Sequence, residues 1–147
     1  MPEVLIRKMA HRDLDEVVSI ENKVFSDPWS YNAFKTDLYN DMAYPIVAVF
    51  DEEVVGYACI YIVVGEVQIG NIAVAPDFRK RGVAKMLLNE ILKITDERNC
   101  NSVFLEVRES NKAAQELYVS YGFKAVAKRV AYYRNPRESA IIMIKEL

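Results

Sequence analysis

The sequence predicts a mixed α/β fold, a partly antiparallel sheet of about seven strands flanked by four helices in the order β-α-α-β-β-β-α-β-α-β-β. Three observations predict it. Short apolar runs alternate with segments whose apolar residues recur at helical spacing. Three of those runs, between Tyr44 and Val74, are separated only by the polar turn Asp51-Glu52-Glu53 and by Gly65-Glu66, the signature of an antiparallel meander. A long amphipathic segment then leads into the next strand, as a helical crossover does. At 147 residues, with no repeat or low-complexity stretch, the chain is expected to form one domain over 1–147 with a substantial core.

Val4 to Lys8 reads as the first strand. Asp13, with Glu16 three residues on, offers a capping box for a helix. Leu14, Val17, Val18, Glu21 and Val24-Phe25 form its stripe, apolar except for the glutamate. Pro28 interrupts the pattern, and Ser30 can cap a second helix over Tyr31 to about Asn40. Trp29 sits in the connection, where it serves either as a core anchor between two helices or as a substrate contact. Strands follow at Tyr44–Phe50, Val54–Val64 and Val67–Val74. The long helix runs from Lys85 to about Arg98 and turns Val83, Leu87, Leu88, Ile91, Leu92 and Ile94 to the sheet, with Asn99 and Asn101 as stop residues. Ser102 to Glu109 is the fifth strand. Asn111 caps a helix over Lys112 to Tyr121, which Gly122 ends. Phe123–Val130 and Ser139–Lys145 are the last strands, joined through Tyr133 to Arg137.

Composition narrows the function. Hydrophobic residues make up 52% and charged residues 27%, which is globular and not disordered. A net charge of −2 argues against a general nucleic-acid binder. The charge is uneven: residues 11–41 carry seven acids and three bases, residues 79–98 six bases and three acids. That asymmetry suits an anionic ligand at the second segment and leaves room for a cationic partner at the first. One histidine and two cysteines without ligand spacing leave no zinc site and no His-based triad. Cys59, in an apolar strand, is expected to be a buried free thiol. No signal pattern or membrane-length apolar run is present, so a cytoplasmic protein with no membrane partner is expected.

Two constellations carry chemistry. The first is the loop Arg79-Lys80-Arg81-Gly82-Val83-Ala84 between the fourth strand and the long helix. Free N–H groups and the positive end of a helix dipole, beside three cations, suit a phosphate; a solvated turn is the plain alternative. It is neither a Walker loop nor a three-glycine dinucleotide fingerprint. The second is Glu106 with the helix that follows. A carboxylate in a central strand is costly unless a partner such as Arg108 or Arg129 satisfies it or catalysis uses it. Desolvation would raise its pKa toward that of a useful base. Asn111, Ala114 and Tyr118 share one helix face, at which Tyr118 is either a packed aromatic or a ligand contact.

The loop Arg79-x-x-Gly82-x-Ala84, the strand Asn71-Ile72-Ala73-Val74 and the element order together resemble the GNAT superfamily of acetyl-CoA-dependent N-acetyltransferases. Asp27-Pro28-Trp29-Ser30, Leu105-Glu106-Val107-Arg108, Ser110-Asn111-x-x-Ala114, Leu117-Tyr118, Tyr121-Gly122-Phe123 and Arg129-x-x-Tyr132-Tyr133 extend the likeness over nearly the whole chain. They bring it nearest the branch that acetylates an N-terminal alanine of a ribosomal protein. The resemblance implies that acetyl-CoA binds in a splay between strands four and five. Pantetheine would pair with Ile72, Ala73 and Val74, and pyrophosphate would lie on Arg79, Arg81, Gly82, Val83 and Ala84. Asn111 would hold the pantetheine arm, and an N–H of strand four would polarise the thioester. It also implies Glu106 as general base, Tyr118 as general acid at the thiol, and an acceptor groove lined by Phe25, Trp29, Tyr132 and Tyr133. A small-amine or lysine acetyltransferase and a noncatalytic acyl-CoA-binding module are the other readings. Ala84 and Glu138-Ser139-Ala140 depart from the commonest pattern, the latter in the region of acceptor choice.

Overall fold

A computed structural model describes residues 3–147. Its strands are β1 (Leu5–Lys8), β2 (Ala43–Phe50), β3 (Glu53–Val63), β4 (Glu66–Val74), β5 (Ser102–Arg108), β6 (Lys124–Tyr133) and β7 (Glu138–Glu146). Its helices are α1 (Leu14–Val24), α2 (Tyr31–Leu38), α3 (Val83–Glu97) and α4 (Lys112–Ser120). The seven strands form one sheet in the order β1-β2-β3-β4-β5-β7-β6. Only β4 and β5 run parallel, joined by the α3 crossover; every other neighbour is antiparallel.

Side chains alternating along the strands build a core on each face. Ala58, Ile60, Val67, Ile69 and Leu105 meet Leu87, Leu88 and Ile91 of α3 and Tyr118 of α4 on one face. Val47, Tyr57, Cys59 and Ala73 meet Leu14 and Val17 of α1 and Phe34 of α2 on the other. A fully buried leucine or isoleucine contributes roughly 1.5–3 kcal/mol, so these two stripes hold the helices on.

Expected caps form at four places. The Ser30 hydroxyl accepts from the Ala33 N–H at 3.1 Å, and the Asn111 side chain from the Ala114 N–H at 3.1 Å. Asn99 and Gly122 take left-handed conformations at φ 55° and 92°, closing α3 and α4. The Asp13–Glu16 capping box does not form. A short 3-10 turn over His11–Asp13 precedes α1 and reassigns both acids. The Asp13 carboxylate accepts from the Ala10 N–H at 2.7 Å and binds Arg7 through two bonds of 2.8 and 2.9 Å. Glu16 accepts from the Val54 N–H at 2.9 Å. The long helix starts at Val83, two residues before the expected Lys85, because Gly82 at φ 81° turns the chain directly into it. β6 extends to Tyr133, past the expected Val130.

Two irregularities shape the middle of the sheet. The β3–β4 register passes from Cys59↔Asn71 to Ile60↔Ile69, so Gly70 is an extra residue, a β-bulge. Before it, Val67 and Ile69 face α3; after it, Ile72 and Val74 do, while Asn71 and Ala73 turn to the α1 side. A Cβ on Gly70 would stand 2.5 Å from the Tyr61 ring, and Tyr61 is held by its hydroxyl donating to Asp37 at 2.6 Å. Second, β4–β5 pairing stops at Ile69↔Leu105, although β4 runs on to Val74 and β5 to Arg108. The two strands therefore part, and the edge of β4 facing the gap is left open.

Candidate active site

A cavity of about 960 Å³ lies at the parting of β4 and β5. Ile69 to Ile72 form one wall, Leu105 to Arg108 the other, and Asn111, Ala114 and Tyr118 of α4 border it. Above it stand the α1–α2 loop, Phe25 to Trp29, and the β6–β7 end, Ala131 to Arg134. Glu106, Tyr118, Asn111, Ile72, Phe25, Trp29, Tyr132 and Tyr133, which are scattered over more than 100 residues of sequence, line this one space.

Strand alternation sets how they approach it. Leu105 and Val107 are buried toward α3 and α4, so Glu106 between them points to the opposite face. Its Oε1 lies 3.7 Å from Nη1 of Arg129, and its Oε2 is buried with no hydrogen-bond partner among the described residues. Such an orphaned carboxylate oxygen is rare in a finished fold and free to accept a proton or a donor. Arg108, the other expected partner, turns away. It donates to the carbonyls of Pro136 and Arg134, each at 3.0 Å, pairs with Glu138 at 3.2 Å and stacks on Tyr133 at 4.5 Å. It is thus a clamp on the β6–β7 connection. The only local sign of that role is a cation at the end of a strand.

Tyr118 comes from the other face. It is 6% exposed and packs on Phe123, while Leu117 and Tyr121 of the same segment are only half-buried. Burial, with a smaller contribution from Tyr133, raises its phenol to about 12, so it remains protonated throughout the neutral range. Tyr133 is likewise raised to about 12, by burial and then by the Glu106 charge. The Tyr132 hydroxyl is raised as well, first by its nearness to the Glu106 carboxylate and then by burial. In an unbroken strand these adjacent tyrosines would face opposite ways. Here the β6–β7 register breaks between Arg129 and Tyr133, with Ala131 left-handed at φ 55°, and both rings reach the cavity.

Trp29 lies between α1 and α2 and at the edge of the cleft. It packs on Phe34 at 5.3 Å and also lines the cavity. The lips of the cleft meet where Arg134 donates to Asp27 at 2.7 Å. Glu21 lines the cavity too, buried to 1%, although its place in the α1 stripe predicted only packing. The available signal was a glutamate where an apolar residue belongs.

The loop residues lie apart from this list of lining groups. Arg79, Lys80, Arg81 and Gly82 are exposed, and Arg81 rests on the Phe78 ring at 4.9 Å. Val83 and Ala73 have buried side chains, which leaves their backbone groups as the possible contacts. No side chain caps α3, and its first turn-closing bond is Met86 N–H to the Gly82 carbonyl at 3.0 Å. The N–H groups before it therefore remain available to an anion. The space over Gly82 is open, with no heavy atom within 4 Å of a Cβ built there.

An open strand edge and an uncapped cationic helix start thus accompany a carboxylate and a protonated phenol at one gap. The chain matches the model of the acetyltransferase (GNAT) family over residues 14–123, and it belongs to that family. It is 35% identical over 133 residues, 89% of each chain, to the [ribosomal protein bS18]-alanine N-acetyltransferase of Salmonella typhimurium. The Haemophilus ducreyi protein of the same name is 33% identical, covering 95% of this chain and 97% of that one. The crystal structure of the ribosomal-protein-S18-alanine N-acetyltransferase from Escherichia coli superposes with a TM-score of 0.92 at 30% identity, over 98% of this chain and 94% of that one. The protein is an N-acetyltransferase with the expected sheet and helices.

Proposed function

We propose that this enzyme transfers the acetyl group of acetyl-CoA to the N-terminal α-amine of a protein, with an alanine-led ribosomal protein as the acceptor and the cytoplasm as the place of reaction. The observation that carries the reading is the cleft itself: it is open to an extended cofactor along β4 and α3, and aromatic and roofed where a chain end must enter. The names of the relatives from Salmonella typhimurium and Haemophilus ducreyi agree with it. Among the described residues no helix is long and apolar enough to cross a membrane, and the reading requires neither a membrane nor a nucleic acid.

The residues fit acetyl-CoA. The open edge of β4 at Ile72, Ala73 and Val74 presents peptide groups to the amide arm. The N–H groups at Gly82, Val83 and Ala84 and the charges of Arg79 and Arg81 receive the pyrophosphate. Asn111 stands at the mouth of the arm. Bound there, acetyl-CoA supplies an acetyl group activated as a thioester. A β4 N–H in the gap donates to the carbonyl oxygen as charge grows on it.

The acceptor enters between Phe25 and Trp29 on one side and Tyr132 and Tyr133 on the other. An α-amine titrates near 7.7–8.0, about 2.5 units below lysine, so Glu106, directly or through water, suffices to remove its proton. The amine nitrogen forms the new C–N bond, the C–S bond breaks, and the proton leaving nitrogen balances the one gained by sulfur. Tyr118 keeps its proton pointed at the departing sulfur. With a phenol near 12 and a thiol near 8.5, its main work is a hydrogen bond that stabilises the forming thiolate, which the amine's proton then neutralises.

Acetyl transfer to a peptide panel tests the proposal. Free α-amines should react with alanine-led peptides ahead of Ser-, Met- and Gly-led ones, and an α-blocked, lysine-containing peptide and a polyamine should not. Turnover of the polyamine or the blocked peptide instead would move the acceptor to a small amine or a side chain. Cofactor binding with no turnover of any amine would leave a binding module.

A further inference from the structure

The cleft contains a second carboxylate to which the reaction above gives no work. Glu21 is 1% exposed and belongs to α1, yet three other parts of the fold donate to it. The Trp29 backbone N–H reaches Oε2 at 2.9 Å. Asn71 Nδ2 reaches Oε1 at 2.8 Å, and the Tyr57 hydroxyl donates to the same oxygen. Both oxygens are thus engaged, unlike the free Oε2 of Glu106, so Glu21 is not a second base.

A buried charge is an expensive way to fill space; a leucine at this stripe position would pack at no desolvation cost. What the carboxylate does that a leucine cannot is join groups that need not otherwise stay in register. Trp29 belongs to the acceptor lip. Asn71 belongs to β4 just where it leaves β5, next to Ile72 at the cofactor edge. Asn71 faces Glu21 only because the Gly70 bulge switches the phase of β4. A contact circuit closes the connection: Trp29 on Phe34 at 5.3 Å, Phe34 on Tyr57 at 5.6 Å, and Tyr57 back to Glu21.

We propose that Glu21 is a positioning residue that fastens the acceptor lip at Trp29 to the parted end of β4, and so holds the acceptor amine in line with the acetyl donor. The inference rests on the N-terminal acetyltransferase reading. It acts on one substrate only: the lip touches the acceptor, whereas the cofactor is held by the backbone of β4 and by α3.

The test uses Glu21→Gln in the full chain. Glutamine keeps the volume, but its amide puts hydrogens where one of the three donors needs an acceptor. The expected result is a KM for an alanine-led peptide raised about tenfold or more, with the Kd of acetyl-CoA within about twofold of wild type. Trp29 is the only tryptophan, so its emission reports on the lip directly. It should move to the red, and acrylamide should quench it more readily. An unchanged peptide KM overturns the inference. So does a parallel weakening of both substrates, which is what a merely structural role predicts.

If Glu21→Gln does not fold, Asn71→Ala decides, since it cuts only the β4 connection. A peptide KM raised about threefold or more with intact acetyl-CoA binding supports the tie; no change sinks it. Absence of turnover of any N-terminal peptide by the wild-type enzyme would be a failure of the functional reading alone. The fluorescence of Glu21→Gln would then still judge the tie, which unaltered emission and quenching would refute.

Discussion

Glu106 and Tyr118 reach one gap from opposite faces of the sheet, so the proposed base at the amine and the proposed hydrogen-bond donor at sulfur act on separate atoms. The arrangement predicts separable defects. Tyr118→Phe should lower kcat roughly ten- to a hundredfold while acetyl-CoA affinity stays nearly unchanged, because it removes one hydrogen bond realised only as sulfur departs. Single-turnover rates beside equilibrium binding measure this, and an unchanged kcat removes Tyr118 from the chemistry. Glu106→Gln removes a buried carboxylate oxygen that has no hydrogen-bond partner among the described residues. Its activity should fall about a hundredfold or more at pH 6–7, with the deficit shrinking above about pH 8, where the α-amine is already neutral. A pH profile parallel to that of the wild type would sink the base assignment.

Among the elements, the start of α3 is the proposed seat of the pyrophosphate. Gly82 supplies a left-handed turn at φ 81° into open space, so two requirements coincide there and can be separated. Gly82→Ala should cost about 1 kcal/mol of stability for the backbone and leave acetyl-CoA affinity close to normal. Gly82→Glu carries the same backbone cost and adds bulk and negative charge where pyrophosphate lies. It should weaken acetyl-CoA more than about tenfold in a calorimetric titration, and equal affinities for the two variants would contradict the loop assignment. The tie between β1 and the turn before α1 has its own signature. Burial opposes ionisation of Asp13, but the Arg7 pair and the Ala10 N–H outweigh it and hold the carboxyl below its usual value. A depressed native pKa stabilises the fold above the unfolded value of about 3.9 and ceases to do so as pH falls through the native one. Asp13→Asn should therefore cost about 1–2 kcal/mol at pH 7, limited by the exposure of Arg7. In urea titrations the difference from wild type should vanish at acid pH. A difference independent of pH would mean that packing, not charge, was lost.

For the whole molecule, two-sided access has a kinetic consequence. Donor and acceptor meet within the thickness of the sheet, and both must be present before the acetyl group moves. Cys59 is fully buried, and burial raises its thiol well above its usual value, so it offers no ready thiolate; Cys100 is nearly buried and does not line the cleft. Double-reciprocal plots should intersect, as for a ternary complex. Parallel lines, or an acetylated enzyme on mass analysis, would overturn direct transfer.

Local signals were enough for most of the fold. Ser30, Asn111, Asn99 and Gly122 act at the helix ends their chemistry specifies, and apolar spacing marks the same seven strands and four helices that the structure contains. The uncapped, cationic start of α3 was legible for the same reason, since loop, glycine and helix are contiguous. Three features were not legible. The Asp13–Glu16 box gave way to partners distant in sequence, Arg7 and Val54. The Gly70 bulge and the break at Ala131 change which face a residue joins, and a one-residue phase switch leaves no trace in composition. Glu21 and Arg108 acquire their work only from groups far along the chain: Asn71 and Tyr57 for one, Pro136 and Glu138 for the other. The sequence by itself determined the elements, their order and the residue types available for acetyl transfer, because capping and periodicity act over a few residues. Only the tertiary structure decided that β4 and β5 part beyond Ile69 and Leu105, and that Glu106, Tyr118, the aromatic lips and the buried Glu21 meet at that gap, because those juxtapositions depend on pairing between distant strands.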